Sequence, residues 1–289
     1  MLLICAAACR FDLPPPPNNN GDGGGDGGGS DAPADMRTDG PPGDRDGDGV
    51  ADAIDKCPDV PDALQRDFDN DGFGDACDGC PPFASSTNED TDSDGVGDAC
   101  DPHPTTAGDK IALWLGNYPE DAARVAGFIR SGTWTVSGGA LHTTNGNSNS
   151  FLAAPPDVAR AVQFTRVTLD DFTSTSAAVA VENGIVVTSG QLTQFYQCAL
   201  FRQAPEVHAK SVDADTTIDD QSVPWTGAVA NGTQLDISVQ FANDFRCTVT
   251  APQTQVSSLK GASIAGLAEL FVQRADASFA YWFVIDAGQ

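Results

Sequence analysis

Three segments of the chain align without gaps: DRDGDGVADAID (44–55), DFDNDGFGDACD (67–78) and DTDSDGVGDACD (90–101). Their first residues are 23 positions apart both times. Each segment has Asp at positions 1, 3, 5, 9 and 12 and Gly at position 6. A solvated acidic linker can be equally rich in Asp and Gly, but a random acidic stretch does not keep a constant period. The pattern therefore predicts one structural unit that occurs three times.

The spacing of these aspartates is typical of a calcium-binding loop. Ca²⁺ takes six to eight oxygen ligands at about 2.3–2.6 Å, and alternating carboxylates in a tight turn can converge on one point. Gly49, Gly72 and Gly95 permit the turn, because glycine accepts backbone conformations that side chains forbid. We predict calcium as the cofactor, bound by the five aspartates of each segment and by the backbone carbonyl at position 7. These residues are Asp44, Asp46, Asp48, Val50, Asp52 and Asp55, then Asp67, Asp69, Asp71, Phe73, Asp75 and Asp78, then Asp90, Asp92, Asp94, Val96, Asp98 and Asp101.

An EF-hand is the nearest alternative to such a loop. It needs an entering and an exiting helix and usually has a bidentate Glu at position 12. Here position 12 is Asp, and the residues that follow are KCPD, GCPP or PHPT. Proline so soon after the loop stops an exiting helix. The sequence therefore argues against EF-hands.

Four cysteines between and within the segments are spaced 20, 3 and 20 residues apart. Zinc is the alternative to disulfides, since cysteine ligates it, but only one pair has C-x-x-C spacing and the surroundings are rich in hard oxygen ligands. Disulfides are the simpler interpretation, and they indicate an oxidising, extracytoplasmic compartment. The predicted pairs are Cys57–Cys77, Cys80–Cys100 and Cys198–Cys247.

The region 44–101 resembles thrombospondin type 3 repeats. The resemblance rests on the D-x-D-x-D-G-x-x-D core, the two GDACD ends, Cys-Pro at 57–58 and 80–81, and Gln65 in the spacer. It implies a calcium-bound segment with little regular secondary structure, in which adjacent cysteines are paired. The chain departs from the family at Asp62 and Ser85, where Asn is usual, at Asn88, where Gln is expected, and at Ile54, where a cysteine is missing.

Residues 44–104, which we call the repeat segment, contain few apolar side chains and many carboxylates. The apolar residues are too few for a core, and the carboxylates repel one another without a cation. We therefore expect calcium to supply much of the ordering free energy, with the disulfides restricting the unfolded ensemble. The predicted result is a stalk that is stiff with calcium and flexible without it.

From about Asp109 the composition changes, and residues 109–289 are predicted to form one β-sandwich domain. The net charge falls from −19 over residues 1–108 to −7 over the rest. Short runs rich in Val, Phe and Thr recur between turn residues, including Glu182-Asn183-Gly184 and Ala242-Asn243-Asp244, which we interpret as hairpin turns. The expected strands are 111–115, 161–169, 177–181, 185–188, 193–202, 206–212, 235–241, 245–250, 268–274 and 278–285, with one short helix in 119–130. The fold class is mainly β: an irregular, disulfide-stapled repeat stalk followed by a two-sheet jelly roll.

The run WTVSGGALHTT (134–144) and the strand order after it resemble concanavalin A-like and laminin-G-like jelly rolls. The resemblance implies a glycan or protein ligand on the sandwich, although fold alone does not settle function. Trp225, which follows a proline in a loop-like stretch, is the best candidate for an exposed sugar-stacking ring.

No catalytic constellation is visible in the sequence, and we predict that the protein is not an enzyme. Glycoside hydrolysis needs two carboxyl groups that flank the bond. None of the four glutamates of the sandwich domain has a second carboxylate at i+2 or i+4, and a G-x-S-x-G motif is missing. The alternatives are a glycan hydrolase with the jelly roll as its catalytic domain, and a sandwich that only packs against an envelope partner.

The chain opens with MLLICAAACRF, in which the apolar run resembles the tail of a secretory signal (1–9). Ala6-Ala7-Ala8-Cys9 resembles a bacterial lipobox, which implies acylation of Cys9; the alternative is a signal remnant with an incidental cysteine. Residues 10–43 are rich in Pro, Gly and Asp and are predicted to be a disordered linker.

The net charge of −26 excludes several classes of partner. Binding to nucleic acid or anionic lipid requires clustered Lys and Arg, and no apolar run is long enough for a membrane helix. Membrane contact is therefore expected through a lipid anchor only. Together these features predict an extracytoplasmic calcium-binding surface protein in cell adhesion or in glycan or matrix binding. It would be lipid-anchored at the bacterial outer membrane or cell surface, or secreted.

Overall fold

A computed structural model describes residues 43–118, 120–144, 148–158, 160–186, 192–213, 219–226, 228–241, 245–250, 254–259 and 266–288. All of them belong to one unit, Gly40–Gln289. The predicted signal remnant, the acylation of Cys9 and all but the last residue of the predicted linker lie outside the described residues.

The described residues contain one short helix and fifteen strands. The helix α1 is Ala122–Ala126. The strands are β1 Lys110–Leu115, β2 Ile129–Ser131, β3 Thr133–Ser137, β4 Ala140–Thr144, β5 Asn149–Val158, β6 Ala161–Asp171, β7 Ser176–Val186, β8 Leu192–Gln203, β9 Glu206–Asp213, β10 Asp219–Pro224, β11 Gln234–Phe241, β12 Phe245–Thr250, β13 Thr254–Leu259, β14 Gly266–Gln273 and β15 Asp276–Asp286.

These strands form two antiparallel sheets that enclose the main core. The first sheet has the order β13-β12-β11-β6-β15-β4-β3, and β1 also pairs with β15. The second has the order β10-β9-β8-β7-β14-β5-β2. Alternate residues of both sheets meet in one apolar cluster, which includes Val179, Leu200, Ile237 and Trp282. The predicted two-sheet sandwich is confirmed.

Cys198 in β8 is bonded to Cys247 in β12. Both cysteines are fully buried, and their strands belong to different sheets. The disulfide therefore joins the two layers of the sandwich across the core, and the predicted pair is confirmed.

The predicted hairpin turn at Glu182-Asn183-Gly184 is wrong. Residues 176–186 form the single strand β7, which pairs with β8 on one side and β14 on the other. Close packing of β7 and β14 requires glycine at position 266, because a Cβ on Gly266 would lie 2.0 Å from the Gly184 carbonyl oxygen. The second predicted turn, 242–244, lies outside the described residues, and the flanking strands β11 and β12 pair antiparallel.

The helix is shorter than the predicted range, and in the described part of the chain no helix is long and apolar enough to cross a membrane.

Candidate calcium sites

The repeat segment has turns and bends but no helix or strand between residues 43 and 109. Three loops, which we call loop 1 (44–55), loop 2 (67–78) and loop 3 (90–101), share one hydrogen-bond pattern. In each, Oδ1 of the position-5 carboxylate accepts the backbone N–H two residues later, at 2.7, 2.9 and 3.0 Å in loops 1, 2 and 3. The three segments that repeat in the sequence therefore have the same local backbone structure.

Glycine at position 6 is required by the backbone of each loop. Gly49, Gly72 and Gly95 have φ of +99°, +103° and +95°. A Cβ at any of the three would meet no atom within 4 Å, so conformation and not space demands the glycine. This confirms the role predicted for these residues.

The carboxylates at positions 1, 3 and 5 converge in every loop. One oxygen from each lies within 4.8 Å of the others in the groups Asp44–Asp46–Asp48, Asp67–Asp69–Asp71 and Asp90–Asp92–Asp94. Oδ2 of Asp46 and Oδ2 of Asp69 are buried and accept no hydrogen bond. Buried carboxylate oxygens without donors are costly unless a cation lies beside them. The residues present therefore fit Ca²⁺, a hard ion that oxygen ligands hold.

The pKa values of the loop carboxyls reflect the same crowding. Burial, with neighbouring carboxylates adding to it, raises the pKa of Asp69 to about 6 and that of Asp78 to about 7. Burial also raises the pKa of Asp101. Two loop carboxyls differ. Burial would raise the pKa of Asp67, but the Lys56 ammonium, 3.1 Å from Oδ2, holds it below its ordinary value. Hydrogen bonds from Thr91 lower the pKa of Asp98. A divalent cation would reduce the repulsion between the neighbouring carboxylates, which contributes to the raised pKa values.

The aspartates at positions 9 and 12 have different surroundings. Oδ1 of each position-9 carboxylate accepts the N–H of position 2 of its own loop, at 2.9, 2.9 and 2.8 Å in loops 1, 2 and 3, and so closes the loop. Oδ1 of each position-12 carboxylate accepts the N–H two residues later, at 2.7, 2.8 and 2.6 Å. The ligand roles of these residues, and of the carbonyls of Val50, Phe73 and Val96, stay predictions.

Loop 3 has an additional carboxylate that sequence reasoning missed. Asp109, which precedes β1 and is 3% exposed, has an oxygen within 4.8 Å of oxygens of Asp94 and Asp101. Its backbone N–H donates to Asp94 Oδ2 at 2.8 Å, and its carboxylate lies 3.0 Å from Nδ1 of His103. Loop 3 therefore meets the start of the sandwich in a carboxylate cluster.

A signal for Asp109 was present in the spacing. In loops 1 and 2 the same position-5 oxygen accepts the N–H of Asp62 and of Ser85, each 14 residues later. The corresponding N–H groups of loop 3 belong to Gly108 and Asp109. The 23-residue period from Asp62 to Ser85, extended once more, leads to Gly108, the residue before Asp109.

Disulfides join Cys57 to Cys77 and Cys80 to Cys100, and the predicted pairing is confirmed. Each bond joins the cysteine at position 11 of loop 2 or loop 3 to a cysteine in the spacer before that loop. The Cα atoms of the two pairs are 5.6 and 5.8 Å apart. All four sulfur atoms are used in these bonds, so the zinc alternative is wrong for these cysteines.

The repeat segment packs against the first sheet of the sandwich, which sequence reasoning did not anticipate. The Phe68 ring lies edge-on to Tyr281 and to Trp114, with centroids 5.4 Å away in both cases. The Phe83 ring lies edge-on to Phe164 at 4.8 Å. We call this apolar cluster the seam; its other members are Cys80, Val96, Cys100, Ile111, Val162, Phe283, Ile285 and Ala287. The repeat segment has too few apolar residues to form a core of its own, and these residues therefore pack into a shared core with β6 and β15.

The sandwich contains a carboxyl pair that the linear sequence conceals. Glu182 of β7 and Glu269 of β14 are direct cross-strand neighbours, and both are buried. The carboxyls of a glycoside hydrolase stand about 5–10 Å apart with the substrate between them. Because both glutamates are buried, this pair is not open to a substrate.

A serine and a histidine also lie together on the first sheet. Nδ1 of His142 is 2.6 Å from Oγ of Ser278, and Ser278 is also hydrogen-bonded to Asp170. In a catalytic triad the histidine stands between serine and carboxylate, whereas here the serine does. Trp225, the predicted exposed ring, is half-buried and packs against the main core.

Comparison with known proteins gives one family match. The family model of the thrombospondin type 3 repeat matches residues 89–102, which include loop 3. No curated protein sequence matches the chain.

Several solved structures resemble part of the chain. They include the carbohydrate-binding module CBM66 from Bacillus subtilis, with 13% identity and a TM-score of 0.41 over 53% of this chain and 91% of that one. A legume lectin-like domain from Entamoeba histolytica has 11% identity and a TM-score of 0.44 over 61% and 97%. A carbohydrate esterase from the Shiga toxin-encoding bacteriophage phi24B has 15% identity and a TM-score of 0.44 over 62% and 99%.

Proposed function

We propose that this chain is an extracytoplasmic calcium-binding surface protein. The observation that carries the proposal is the convergence of the carboxylates at positions 1, 3 and 5 in three equivalent loops. The position-3 oxygens that accept no hydrogen bond in loops 1 and 2 support it, as does the match of the repeat family to loop 3. Three disulfides support an oxidising compartment, and acylation of Cys9 would hold the protein at a bacterial outer membrane or cell surface.

The sandwich would supply binding of a glycan or matrix ligand, and hence adhesion, through its second sheet. The repeat segment covers part of the first sheet at the seam. On the second sheet, four half-buried phenylalanines alternate with core residues and so point away from the core: Phe151, Phe195, Phe201 and Phe271. Gln197 and Lys210 lie on the same face. Aromatic rings with a few polar groups suit a sugar, which has both apolar C–H faces and hydroxyl groups.

A calorimetric calcium titration of the oxidised, metal-stripped full chain tests the proposal. We expect at least one ion per loop, and loss of binding when Asp46, Asp69 and Asp92 are all changed to Asn. Asp171→Asn, at an exposed aspartate at the end of β6, is the matched control and leaves the titration unchanged. If millimolar calcium produces no binding heat in the parent chain, the calcium assignment is wrong.

A glycan panel separates the two roles of the sandwich. Retention of a glycan without turnover supports a binding module. Release of shortened sugars would instead support the hydrolase alternative.

A further inference from the structure

The buried pair Glu182–Glu269 lies near the middle of the second sheet. Strands β7 and β14 are neighbours there, and the register places the two glutamates directly opposite each other. Glu182 is 5% exposed and Glu269 is 3% exposed. Two carboxyl groups are therefore held side by side where water scarcely reaches them.

The groups that face the pair are almost all neutral. From β8, the Gln197 side-chain amide donates to Oε1 of Glu182. From β5, the residue opposite Glu269 is Ala153. Gln163 of β6 lies on the core side of β7, where its Nε2 donates to the backbone carbonyl of Glu182 at 2.5 Å, and it does not face the carboxyls. Lys210 of β9 lies one row away, above the ring of Phe201.

In the described part of the chain, no cation is recorded as acting on the two carboxyls. Among the described residues, the groups that influence the two carboxyls are Gln197 and the carboxyls themselves. Oε2 of Glu269 is buried and accepts no hydrogen bond. Burial raises the pKa of both glutamates, and the charge of Glu182 raises that of Glu269 further. Like charges in contact in a buried site cannot both be ionised without a large cost.

We propose that Glu182 and Glu269 share one proton and that this proton holds β7 to β14, so that the second sheet is a pH-sensitive element. With the proton present, one carboxyl donates to the other and the strands are bridged. When the proton leaves, two buried carboxylates face each other at the centre of the sheet. This element is separate from the calcium loops. It lies on the outer face of the second sheet, beside Gln197 and Phe271 of the proposed ligand face, and its unfolding test needs no ligand.

The direction of the pH effect follows from the raised pKa values. The folded protein retains protons that the unfolded chain releases near the ordinary glutamate pKa of 4.5. The contribution to stability is complete below that value and is lost as the pH rises towards the folded-state pKa values. For each retained proton the unfolding constant increases about tenfold per pH unit in that interval.

Urea unfolding of the full chain in saturating calcium, from about pH 5 to about pH 9.5, tests this proposal. Glu269→Gln keeps the shape and donates an amide hydrogen to Glu182, so it mimics the protonated pair at every pH. We expect parent and variant to be about equally stable near pH 5. Near pH 9 the unfolding equilibrium constant of the variant should be at least tenfold smaller than that of the parent. Carboxyl groups of the loops titrate in both proteins and cancel in the difference.

Two controls complete the test. Glu206→Gln changes an exposed glutamate of the same domain and should leave the pH profile as in the parent. Infrared spectra at neutral pH should show a protonated-carboxyl band that Glu269→Gln removes. Coincident pH profiles for parent and Glu269→Gln would overturn the proposal. So would a difference that favours the parent over Glu269→Gln at high pH only when calcium is added, since the loops cancel in that difference and the result would place a cation between the two carboxyls.

Discussion

Single aspartates in the loops perform different tasks although their spacing is uniform. Positions 1, 3 and 5 bring oxygen atoms together, whereas position 9 closes the loop onto its own second residue. Substitution at position 3 should therefore remove a ligand, and substitution at position 9 should first loosen the loop. The sequence pattern alone does not separate these roles, because it records residue type and not direction.

The Asp109 side chain allows a test of whether a single carboxylate contributes to calcium binding at loop 3. Asp109→Asn keeps the backbone hydrogen bond to Asp94 but removes one carboxylate from the cluster at loop 3. We expect calcium affinity at one site to fall about tenfold or more, since ligand charge is a main determinant of affinity. Calorimetry of the variant checks this, with Asp171→Asn, an exposed aspartate at the end of β6, as the control. Unchanged affinity would mean that Asp109 serves only its contact with His103.

The calcium loops were largely predictable from single residues, and the carboxyl pair of the sandwich was not. Identical spacing in three copies specifies the loops locally, within 12 residues each. Glu182 and Glu269 meet only because β7 and β14 pair in one register, and that register is set by contacts between residues 87 positions apart. A search for carboxylates at i+2 or i+4 cannot find a pair of this kind.

Among the strands, alternation of apolar residues identified those that pair through long regular runs, such as β6 and β11. It missed β5, whose sequence NSFLAAPPDV contains two prolines, because proline usually argues against a strand. It also divided β7 at Glu182-Asn183-Gly184, since these residue types favour turns. In both cases pairing with β14 outweighs local preference.

The seam provides a prediction for how the repeat segment is attached. Phe83→Ala removes a half-buried ring that contacts Phe164, and we expect a loss of about 2–3 kcal/mol in the free energy of unfolding. Leu64→Ala, at a side chain that is 61% exposed, is the matched control and should cost less than about 0.5 kcal/mol. Chemical denaturation in calcium measures both variants. Equal small losses would show that the seam contributes little to stability.

For the molecule as a whole, calcium and the seam should act together. Bound calcium would order the loops that present Phe68 and Val96 to the first sheet, and Phe83 lies in the spacer between these loops. Chelation should therefore weaken that contact. We expect one cooperative unfolding transition in calcium and a separate, earlier loss of the repeat segment in chelator, while the sandwich retains its own core and disulfide. A ligand at 100 times its dissociation constant stabilises by about 2.7 kcal/mol per site.

Calorimetric scans with calcium, with chelator and with magnesium check this expectation. Magnesium is the control, because it prefers octahedral sites and retains its water. Identical scans in calcium and chelator would contradict the coupling.

The position of the seam also has a mechanical consequence. If the chain is held at its amino-terminal end while the sandwich holds a ligand, tension enters the sandwich through the repeat segment. The first contacts to bear that load are the rings of Phe68 and Phe83 on β6, β15 and Trp114, together with the ion pair between Arg66 and Glu120. The two repeat disulfides limit how far the loops can extend. Calcium would then set the force at which the attachment between repeat segment and sandwich yields.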